Sequence, residues 1–586
     1  MNAEPIIIEG AEQSRVDPSL ADTGLPPAVG VQSWCVFRAS RDVPEITDKK
    51  GFTYHHHVDM ACWKGRLYVG WNSCEKDEDI WPSRELYSTS ADGAAWDAPR
   101  EMFPMGSSTC LRMYFYLGKN GHMLVIAGLR ANTSKTNEDT KSALIVREVR
   151  DDHTLGDVFT LQAPTGDVKH PKMFDRSGDE EFIAACRQLL ADRVFLEQQD
   201  RGRLLGARRM KWHDASAWPG GKVPGDSDKW VAGKAFSFYR RPDGILVGVS
   251  KMGWTTTSRD DGNTWEQPVV PPTLVTGKAK VWSQRTRDGR YALVYNPSTR
   301  QRFPLIVVSG DDGIRFRDMR IVQGELPRQR YEGADRSVGP QYIRGVSPTW
   351  SNDGSRDQLD GNAMWLVYSM SKEDIWVSRV PLPVKADETA PVNDDFASSS
   401  AFKPGVLVRG WNTYCPKWDS VNVESGALVL ENRDPYDYAT ATRVFREAKR
   451  ASVTFDVTAD QSDSGTLQID LHDKFGAGRP VRVALAPAGK IKACDGNRTV
   501  DVAPYTPGTR VSLCVNADVA AGTYSLAVNG STVLDSAKLA EPADVLHRIT
   551  FRTGEFRNVG GKNPVDPGTD KPAEPARFSI VGVRVE

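Results

Sequence analysis

A short, strongly apolar strand that follows a turn recurs six times between residues 50 and 383. Each recurrence belongs to a unit of roughly 40 to 60 residues, which is too small to bury a core alone but can do so when arranged radially as a four-stranded blade. The pattern predicts an all-β fold containing a β-propeller of six blades, or of seven if residues 30–48 add a strand. The six strands lie at 66–71, 122–127, 181–185, 244–249, 290–295 and 364–368.

Three turns strengthen the propeller prediction. Residues 258–265 read Ser-Arg-Asp-Asp-Gly-Asn-Thr-Trp, a complete S-x-D-x-G-x-T-W motif, while 309–316 is a near match and 89–96 a degraded copy. In such a turn the Ser and Asp side chains bond the backbone, the Gly accepts a positive φ and the closing aromatic packs beneath the hairpin. The motif indicates a fold and assigns no chemistry to these turns.

The character of the chain changes after the propeller. A polar, Ser-rich segment predicts a linker, and the alternating apolar runs beyond it are typical of an antiparallel β-sandwich of the jelly-roll kind. Those runs lie at 451–457, 465–471, 510–516, 523–528 and 577–585. The predicted domains are an N-terminal extension over 1–29, a propeller over 30–383, a linker over 384–402 and a sandwich over 403–586.

Charge and composition exclude several classes of protein. Lys+Arg number 75 and Asp+Glu 76, so the net charge of -1 provides no overall positive field for nucleic acid or an anionic membrane. No apolar run is long enough for a membrane helix. The eight cysteines form no C-x-x-C pair, so a structural zinc site is not predicted.

Basic and aromatic residues lie at the start of nearly every predicted inner strand. The innermost strand of each blade lines the central channel, and strand alternation places Arg112, Tyr114 and Tyr116 on one face of the second blade's first strand. Such a funnel suits an anionic sugar, since Arg and Lys bind carboxylates and aromatic rings stack on sugar faces. The other first strands supply His55, His56, His57, His170, Lys234, Lys280, Trp282, Gln284, Tyr342 and Arg344.

The run His55-His56-His57 contains three of only nine histidines. Adjacent strand residues point to opposite faces, so at most two of the three could share a metal ion, and further ligands would be needed. Buried structural histidines are a second interpretation. A catalytic or carboxylate-binding role is the interpretation that we favour, and no residue is predicted as a metal ligand.

Two stretches carry a family resemblance. Residues 56–71, from His-His-Val-Asp-Met-Ala to Tyr-Val-Gly-Trp, followed by Leu-Tyr-Ser-Thr-Ser-Ala-Asp-Gly at 86–93, resemble the first blade of sialidase-like BNR-repeat propellers. Residues 341–345 and 368–379 resemble the last blade. The similarity is greatest to ulvan lyases and to the rhamnosyl-glucuronate lyase or rhamnosidase group, and residues 508–530 resemble the hairpins of concanavalin-A-like jelly rolls.

The resemblance implies that His56 or His57 is a catalytic group, with Arg and Tyr residues of later blades completing the site. We therefore predict a catalytic set and a substrate-binding set. The catalytic set is His56, His57, Arg112, Tyr114 and Arg344. The substrate-binding set is His55, Tyr116, His170, Lys234, Lys280, Trp282, Gln284 and Tyr342.

The leading hypothesis is an enzyme that cleaves a glycosidic bond in an acidic, uronate-containing polysaccharide or oligosaccharide. β-Elimination would use Arg112 or Arg344 to neutralise the carboxylate and a His or Tyr to take the proton. Rhamnosidase-like hydrolysis is the other route. Ordinary hydrolases use two carboxylates, for which the candidates are Asp59, Glu75, Glu332 and Asp335.

Two alternatives accompany this hypothesis. A non-catalytic acidic-glycan-binding protein is favoured by one departure: lyase members carry a second histidine in the turn after the Trp71 strand, and here none occurs between His57 and His122. A sialidase is the further alternative, with residues 37–40 as the counterpart of its Arg-Ile-Pro motif. We expect a secreted or periplasmic monomer or small oligomer, with no nucleic-acid partner, no membrane insertion and Ca²⁺ as the one cofactor left open.

Overall fold

The structure is a computed structural model that is all-β apart from a few short helices. The α-helices are α1 (Glu180–Ala191) and α2 (Arg193–Gln198), and single 3-10 turns lie at Glu12–Arg15, Ala21–Gly24, Phe174–Arg176 and Lys251–Gly253. The all-β prediction is therefore confirmed. The structure describes residues 5–17, 19–46, 51–78, 80–106, 109–130, 143–164, 169–198, 210–211, 231–232, 235–266, 268–277, 279–333, 336–346, 359, 362–397, 402–403, 407–408, 410–476, 478–557 and 568–586.

The chain divides into two compact units. Unit 1 comprises Met1–Gln13, Val36–Met319 and Gln329–Val377, and unit 2 comprises Ser14–Cys35, Arg320–Arg328 and Ser378–Glu586. In the part of the chain that the structure describes, no helix is long and apolar enough to cross a membrane.

Unit 1 contains antiparallel sheets of the propeller type. Four separate sheets have the strand orders β3-β4-β5-β6, β10-β9-β8-β7, β13-β14-β15 and β1-β19-β18-β17-β16, and β20-β21-β22 continue the series. The count of six or seven blades stays a prediction. The strands beginning in this unit are β1 (Ile7–Ile8), β3 (Tyr54–Trp63), β4 (Arg66–Cys74), β5 (Ser83–Ser90), β6 (Arg100–Phe103), β7 (Thr109–Leu117), β8 (Met123–Arg130), β9 (Ala143–Val149), β10 (Phe159–Gln162), β11 (Met210–Lys211), β12 (Val231–Ala232), β13 (Ser237–Arg240), β14 (Leu246–Val249), β15 (Thr255–Ser258), β16 (Trp282–Arg285), β17 (Tyr291–Tyr295), β18 (Leu305–Gly310), β19 (Arg315–Gln323), β20 (Pro340–Gly345), β21 (Ala363–Met370) and β22 (Asp374–Pro381).

Strand alternation builds the core between the first two sheets. On one face of β7, Met113 and Phe115 join a buried cluster with Trp63 and Tyr68. On the other face, Tyr114 and Tyr116 join a second buried cluster, which includes side chains of α1 and α2. Both faces of β7 are therefore covered, and its side chains are fixed by packing.

The stretch Glu181–Ala185 was predicted as a strand, and that prediction is wrong because these residues belong to α1. The Asp179 carboxylate caps the helix by accepting a hydrogen bond from the Phe182 N–H at 3.0 Å. The buried residues of α1, which are Phe182, Ile183, Ala185, Cys186 and Leu189, recur at the three- and four-residue spacing of an amphipathic helix. A short apolar run alone does not separate these two structures.

The prediction of an inner strand in the third blade is also wrong. His170 was expected to line the channel from an inner strand, but residues 169–172 form no strand, and His170 is exposed. His170 Nδ1 lies 3.0 Å from Thr160 Oγ1 and 2.9 Å from the Pro171 carbonyl oxygen. Pro171 has no N–H to donate to a sheet, which explains why the segment does not pair as an inner strand.

The turn at 258–265, which carries the S-x-D-x-G-x-T-W motif and is called the Asp-box turn below, has the predicted geometry. Ser258 Oγ accepts a hydrogen bond from the Gly262 N–H at 2.9 Å, and Asp260 Oδ1 accepts one from the Thr264 N–H at 2.8 Å. Gly262 has a φ of +81°, and Trp265 packs edge-on against Phe236 with ring centroids 5.1 Å apart. The motif serves the fold, as expected.

Unit 2 contains two antiparallel sheets with the strand orders β26-β29-β38-β31-β32-β33-β34 and β27-β28-β39-β30-β35-β36-β37. They face each other where Phe455 of β30 packs edge-on against Phe551 of β38. The strands beginning in this unit are β2 (Gln32–Phe37), β23 (Val392–Asp394), β24 (Phe402–Lys403), β25 (Leu407–Val408), β26 (Trp411–Cys415), β27 (Ser420–Glu424), β28 (Ala427–Asn432), β29 (Thr440–Ala448), β30 (Arg450–Ala459), β31 (Leu467–Asp473), β32 (Val481–Ala486), β33 (Lys490–Asp495), β34 (Arg498–Pro504), β35 (Val511–Asp518), β36 (Thr523–Val528), β37 (Ser531–Lys538), β38 (Leu546–Arg552) and β39 (Ala576–Val585).

The five alternating runs predicted for the sandwich all coincide with strands, namely β30, β31, β35, β36 and β39. Two segments outside those runs join the same unit. Val392 of β23, within the predicted linker, is buried and pairs with Val585, and residues 32–34 of β2 run parallel to β26. The jelly-roll topology stays a prediction.

Candidate active site

Three inner strands of unit 1 each contain a β-bulge. The pairing register shifts between His56 and Asp59 on β3, between Leu111 and Tyr114 on β7, and between Gln341 and Arg344 on β20. Each bulge contains one non-glycine residue with positive φ: His57 at 53°, Arg112 at 50° and Tyr342 at 54°. Left-handed backbone costs such residues roughly 1 kcal/mol or more, and it clusters at functional sites.

The bulge on β3 gives His57 a carboxylate partner. His57 Nε2 lies 2.7 Å from Glu78 Oε1, and the Lys372 ammonium donates to Glu78 Oε2 at 3.2 Å. Burial by itself would raise the pKa of Glu78, but the hydrogen bond from His57 and the charges of His57 and Lys372 hold that pKa well below its usual range. Glu78 is therefore ionised, and it orients the His57 ring.

His56 is held from the opposite side. Its Nδ1 lies 2.6 Å from Ser369 Oγ, and its ring centroid is 4.7 Å from that of His57 and 4.2 Å from that of Tyr342. Complete burial, together with the charges of His57 and Lys372, holds the pKa of His56 well below its ordinary value. His56 is therefore a neutral imidazole, bonded to Ser369 through Nδ1, and its Nε2 has no hydrogen-bond partner among the described residues.

Tyr342 lies among three cationic side chains. The Lys251 ammonium donates a hydrogen bond to its phenol oxygen, and the Lys280 Nζ lies 4.8 Å from the ring centroid. The Arg302 guanidinium carbon lies 5.2 Å from the same centroid. Tyr342 and both lysines are at least nine-tenths buried, so these charges interact in a medium of low dielectric constant.

The charge of this cluster favours an anionic ligand over a metal ion. Ligand atoms of His56, His57 and Glu78 lie within 4.8 Å of one another, a spacing that a metal ion could bridge. However, Lys372 already occupies the second Glu78 oxygen, and the cations around Tyr342 repel a divalent ion. The arrangement suits a carboxylate-bearing molecule instead.

Comparison with known proteins shows what the two parts of the chain are similar to. Residues 411–567 match the family model described as sialidase-like, CBM domain, and residues 4–109 and 106–201 match the BT_1020-like, N-terminal beta propeller model. The chain contains a sialidase-like β-propeller and a sialidase-like CBM domain. No curated protein is significantly similar to the sequence.

A solved structure titled "Sialidase" resembles the whole of this sialidase-like chain. It is 30% identical with a TM-score of 0.87, and the alignment covers 99% of this chain but only 54% of that one. A Trypanosoma rangeli sialidase is 11% identical with a TM-score of 0.33, over 95% of this chain and 96% of its own. The predicted relation to ulvan lyases and rhamnosidases is not confirmed by these comparisons, and the C-terminal match is to a sialidase-like CBM model.

Several predicted residues of the sialidase-like propeller lie in a second buried group. Arg344 donates to the carbonyl oxygens of Phe236 at 3.2 Å and Gln198 at 2.9 Å. Its guanidinium carbon lies 5.9 Å from the ring centroids of both Tyr114 and Trp282. Arg344 therefore links strands and rings around the site, and its predicted contact with a substrate carboxylate stays a prediction.

Trp282 and Gln284 lie on one face of β16, as predicted. Trp282 Nε1 donates to Gln284 Oε1 at 2.7 Å, so the two side chains fix each other. Gly345 makes room for them, because a Cβ built there would lie 2.3 Å from Trp282 Nε1. This is a close approach that only glycine permits.

Two predicted residues serve packing in the sialidase-like propeller. Tyr116 is buried against Phe195 with ring centroids 4.7 Å apart. His55 packs on Phe37 at 4.3 Å, and its Nε2 lies 2.9 Å from the Phe52 carbonyl oxygen. Burial lowers the pKa of His55 to about 3, so it is a neutral core histidine.

The remaining predicted residues have varied placements. Arg112 is half-buried at the bulge of β7, and Lys234 lies outside the described residues. Among the candidate carboxylates, Glu75 and Glu332 are exposed, and Asp335 also lies outside the described residues. Asp59 is buried on β3, where its Oδ2 accepts a hydrogen bond from the Phe115 N–H at 2.9 Å.

Sequence reasoning missed Lys251, Glu78, Arg302, Lys372 and Ser369. Lys251 and Glu78 come from turns rather than from inner strands. One signal pointed to Glu78, because it stands 21 residues after His57 in the turn where a second histidine was sought. Lys372 and Ser369 belong to the stretch at 368–379 that carries the last-blade resemblance.

Proposed function

We propose that the propeller is a glycoside hydrolase that releases a carboxylate-bearing sugar from an acidic glycan, as a sialidase does. The observation that carries this proposal is Tyr342 enclosed by Lys251, Lys280 and Arg302 beside the His57–Glu78 pair. The structure titled "Sialidase" supports the sialidase alternative above the uronate lyase hypothesis.

The substrate carboxylate would bind beside Lys280 and Arg302. Lysine and arginine supply positive charge, and the Arg302 guanidinium can donate two parallel hydrogen bonds to a carboxylate. Arg302 also donates to Gln341, the residue before Tyr342, so its position is coupled to the bulge of β20. A neutral sugar would bring no negative charge to these cations, which predicts selectivity for acidic substrates.

Tyr342 would act as the nucleophile, which is the role that tyrosine has in sialidases. In the reactive form its proton has passed to solvent, and the Lys251 ammonium stabilises the phenolate. The oxygen forms a bond to the anomeric carbon while the bond to the leaving-group oxygen breaks. Protonated His57 gives its proton to that oxygen.

Water would complete the reaction in the second half. His57, now neutral, takes a proton from water as the water oxygen forms a bond to the anomeric carbon. The Tyr342–carbon bond breaks, and its electron pair returns to the phenolate. Glu78 stabilises His57 whenever the ring is protonated, because the two lie 2.7 Å apart.

A substrate panel tests this proposal. An α-linked sialoside, a series of uronides and matched neutral glycosides are incubated with the protein, and aglycone release is recorded together with the absorbance of an unsaturated sugar. The proposal predicts release from a carboxylate-bearing glycoside without that absorbance. An unsaturated product would restore the elimination hypothesis, and tight binding without release would favour the non-catalytic glycan-binding protein.

A matched pair of variants tests whether the activity depends on Tyr342. Tyr342→Phe removes only the phenol oxygen and should lower kcat at least about 1,000-fold, as loss of a nucleophile does. Tyr116→Phe removes the same atom from a ring packed in the core and should leave kcat within about twofold of wild type. Equal activity of the two variants would exclude Tyr342 as the nucleophile.

A further inference from the structure

Unit 2 contains a small groove on one face of the sheet that includes β29, β31 and β38. Arg548, Thr550 and Arg552 of β38 alternate onto this face, and Thr442 of β29 and His472 of β31 stand opposite Thr550 and Arg548 in the pairing register. Residues 321–326 also line it. The groove belongs entirely to unit 2, so it does not include the Tyr342 site of unit 1.

His472 is a buried polar side chain without a partner in this groove. It is 3% exposed, and neither Nδ1 nor Nε2 has a hydrogen-bond partner among the described residues. Burial, and then the charges of Arg548 and Arg552, hold its pKa well below the ordinary value. The neutral ring therefore presents an unused donor and an unused acceptor to the groove, and buried polar groups of this kind are rarely left unbonded.

The groove is lined by three arginines, two of which pair with carboxylates behind the lining and still keep N–H groups without a hydrogen-bond partner. Its lining contains Arg548, Arg552 and Arg557, and Glu325 is the sole carboxylate among the described lining residues. Arg552 donates to Asp470 at 3.0 Å through Nη1, while its Nε makes no hydrogen bond. Arg557 donates to Asp437 at 2.5 Å through Nη1, while its Nε and Nη2 make no hydrogen bond and Nη2 lies 4.0 Å from Glu325. These N–H groups point to an oxyanion as the missing partner.

The size of the groove limits what it can hold. Its volume is about 90 Å³, whereas sites for whole small molecules measure roughly 300 Å³ or more. A single substituent fits, and the planar fork of a guanidinium matches a carboxylate best. The Thr442 and Thr550 hydroxyls are hydrogen-bonded to each other at 2.9 Å, which leaves one O–H of the pair to donate to the same group.

We propose that this groove binds the carboxylate of an acidic sugar residue whose ring stays outside, so that the sialidase-like CBM domain has its own anion site. The site would hold the protein on an acidic glycan independently of the propeller. A second attachment of this kind raises the local concentration of substrate without any change in the chemistry at Tyr342.

Calorimetric titration of the full chain tests the proposal. The parent protein carries Tyr342→Phe and Lys280→Met, so that binding at the propeller is removed before the groove is measured. The probes are tri-galacturonate, neutral galactotriose and a sulfated galactotriose. The parent is expected to bind tri-galacturonate at least tenfold more tightly than either of the other two probes.

Groove variants are then built on that parent. His472→Leu with Thr550→Val should weaken tri-galacturonate binding at least tenfold. His547→Leu is the matched control, because His547 is also buried with both ring nitrogens unbonded, yet it does not line the groove. Unfolding temperatures of both variants establish that they are folded.

Three results would overturn the groove assignment. They are equal affinity in the His472 and His547 variants, tighter binding of the sulfated probe, and absence of tri-galacturonate binding by the parent. Each is independent of the proposed hydrolase activity, because the parent has no Tyr342 nucleophile. Glycoside release by the wild-type chain in the substrate panel tests that activity separately.

Discussion

Lys251 donates a hydrogen bond to the phenol oxygen of Tyr342, a residue 91 positions further along the chain. Both residues lie in locally unusual backbone: Lys251 opens a 3-10 turn whose Met252 has a φ of 67°, and Tyr342 has a φ of 54° at the bulge of β20. Non-glycine residues rarely adopt this conformation, so the surrounding structure must stabilise both segments. The pair is the centre of the proposed chemistry.

Replacement of Lys251 tests whether it stabilises charge on Tyr342. Lys251→Met keeps the length of the side chain but removes its charge and its donor, so we expect kcat to fall roughly 100-fold while KM changes little. Lys64→Met, at an exposed lysine, is the control. Steady-state kinetics on an acidic glycoside measure both parameters, and a rise in KM alone would mean that Lys251 only binds substrate.

Replacement of Glu78 tests whether the His57–Glu78 pair supports acid–base catalysis by His57. In Glu78→Gln the imidazolium loses its charged acceptor, so kcat should fall at least about tenfold and the alkaline limb of the pH–rate profile should move to lower pH. Glu148→Gln changes a comparable carboxylate next to His122 in the same unit and should leave the profile unchanged. An unshifted alkaline limb in Glu78→Gln would remove His57 from the acid–base role.

Asp59 makes stability depend on pH. Burial raises its pKa to about 6 from 3.8, although Arg344, the Phe115 N–H and Lys280 act in the opposite direction. The folded protein therefore binds this proton more tightly than the unfolded chain does, and stability decreases as pH rises from about 4 to about 6. Asp59→Asn should stabilise the fold by up to about 3 kcal/mol above this range.

Denaturant titrations at two pH values check this prediction. The stabilisation by Asp59→Asn should be present at neutral pH and should disappear below the unfolded-state pKa, where both the wild-type side chain and the amide are neutral. The Phe115 N–H retains an acceptor in the variant, because the asparagine side chain keeps a carbonyl oxygen. Equal stability of the two proteins at neutral pH would contradict the raised pKa.

Replacement of Gly345 tests the packing that supports the site. In Gly345→Ala the new Cβ would lie 2.3 Å from Trp282 Nε1, so the ring must move, and we expect a loss of roughly 1 to 3 kcal/mol in stability together with reduced activity. Gly106→Ala is the control, since a Cβ there meets nothing within 4 Å. Thermal unfolding of both variants gives the comparison, and equal unfolding temperatures would mean that the ring moves without cost.

The sequence predicted much of the fold because periodicity and turn chemistry are local signals. The Asp-box turn at 258–265 and the strand β36 at 523–528 follow directly from their patterns. The run at 181–185 did not, since five apolar-rich residues fit either a strand or a helix, and the deciding contact is the Asp179 cap together with Leu189 a turn further on.

The site was predicted only in part because bulges and turns decide it. His56, His57, Lys280 and Tyr342 were identified from inner-strand positions. Simple strand alternation places Tyr342 and Arg344 on the same face, but a one-residue bulge lies between Gln341 and Arg344, and the alternating pattern of the sequence does not reveal it. Lys251 and Glu78 reach the site from turns, and contacts across 91 and 21 residues depend on how the blades pack. Such long-range contacts are absent from any local pattern.

The most direct test of the central claim is peptide mass mapping of the wild-type chain after acid quenching during turnover of the acidic glycoside that the substrate panel identifies. We expect the peptide containing Tyr342 to carry the mass of the released sugar and the same peptide from Tyr342→Phe to carry none. A sugar bound to a different peptide, or turnover with inversion at the anomeric carbon and no bound sugar, would contradict the account.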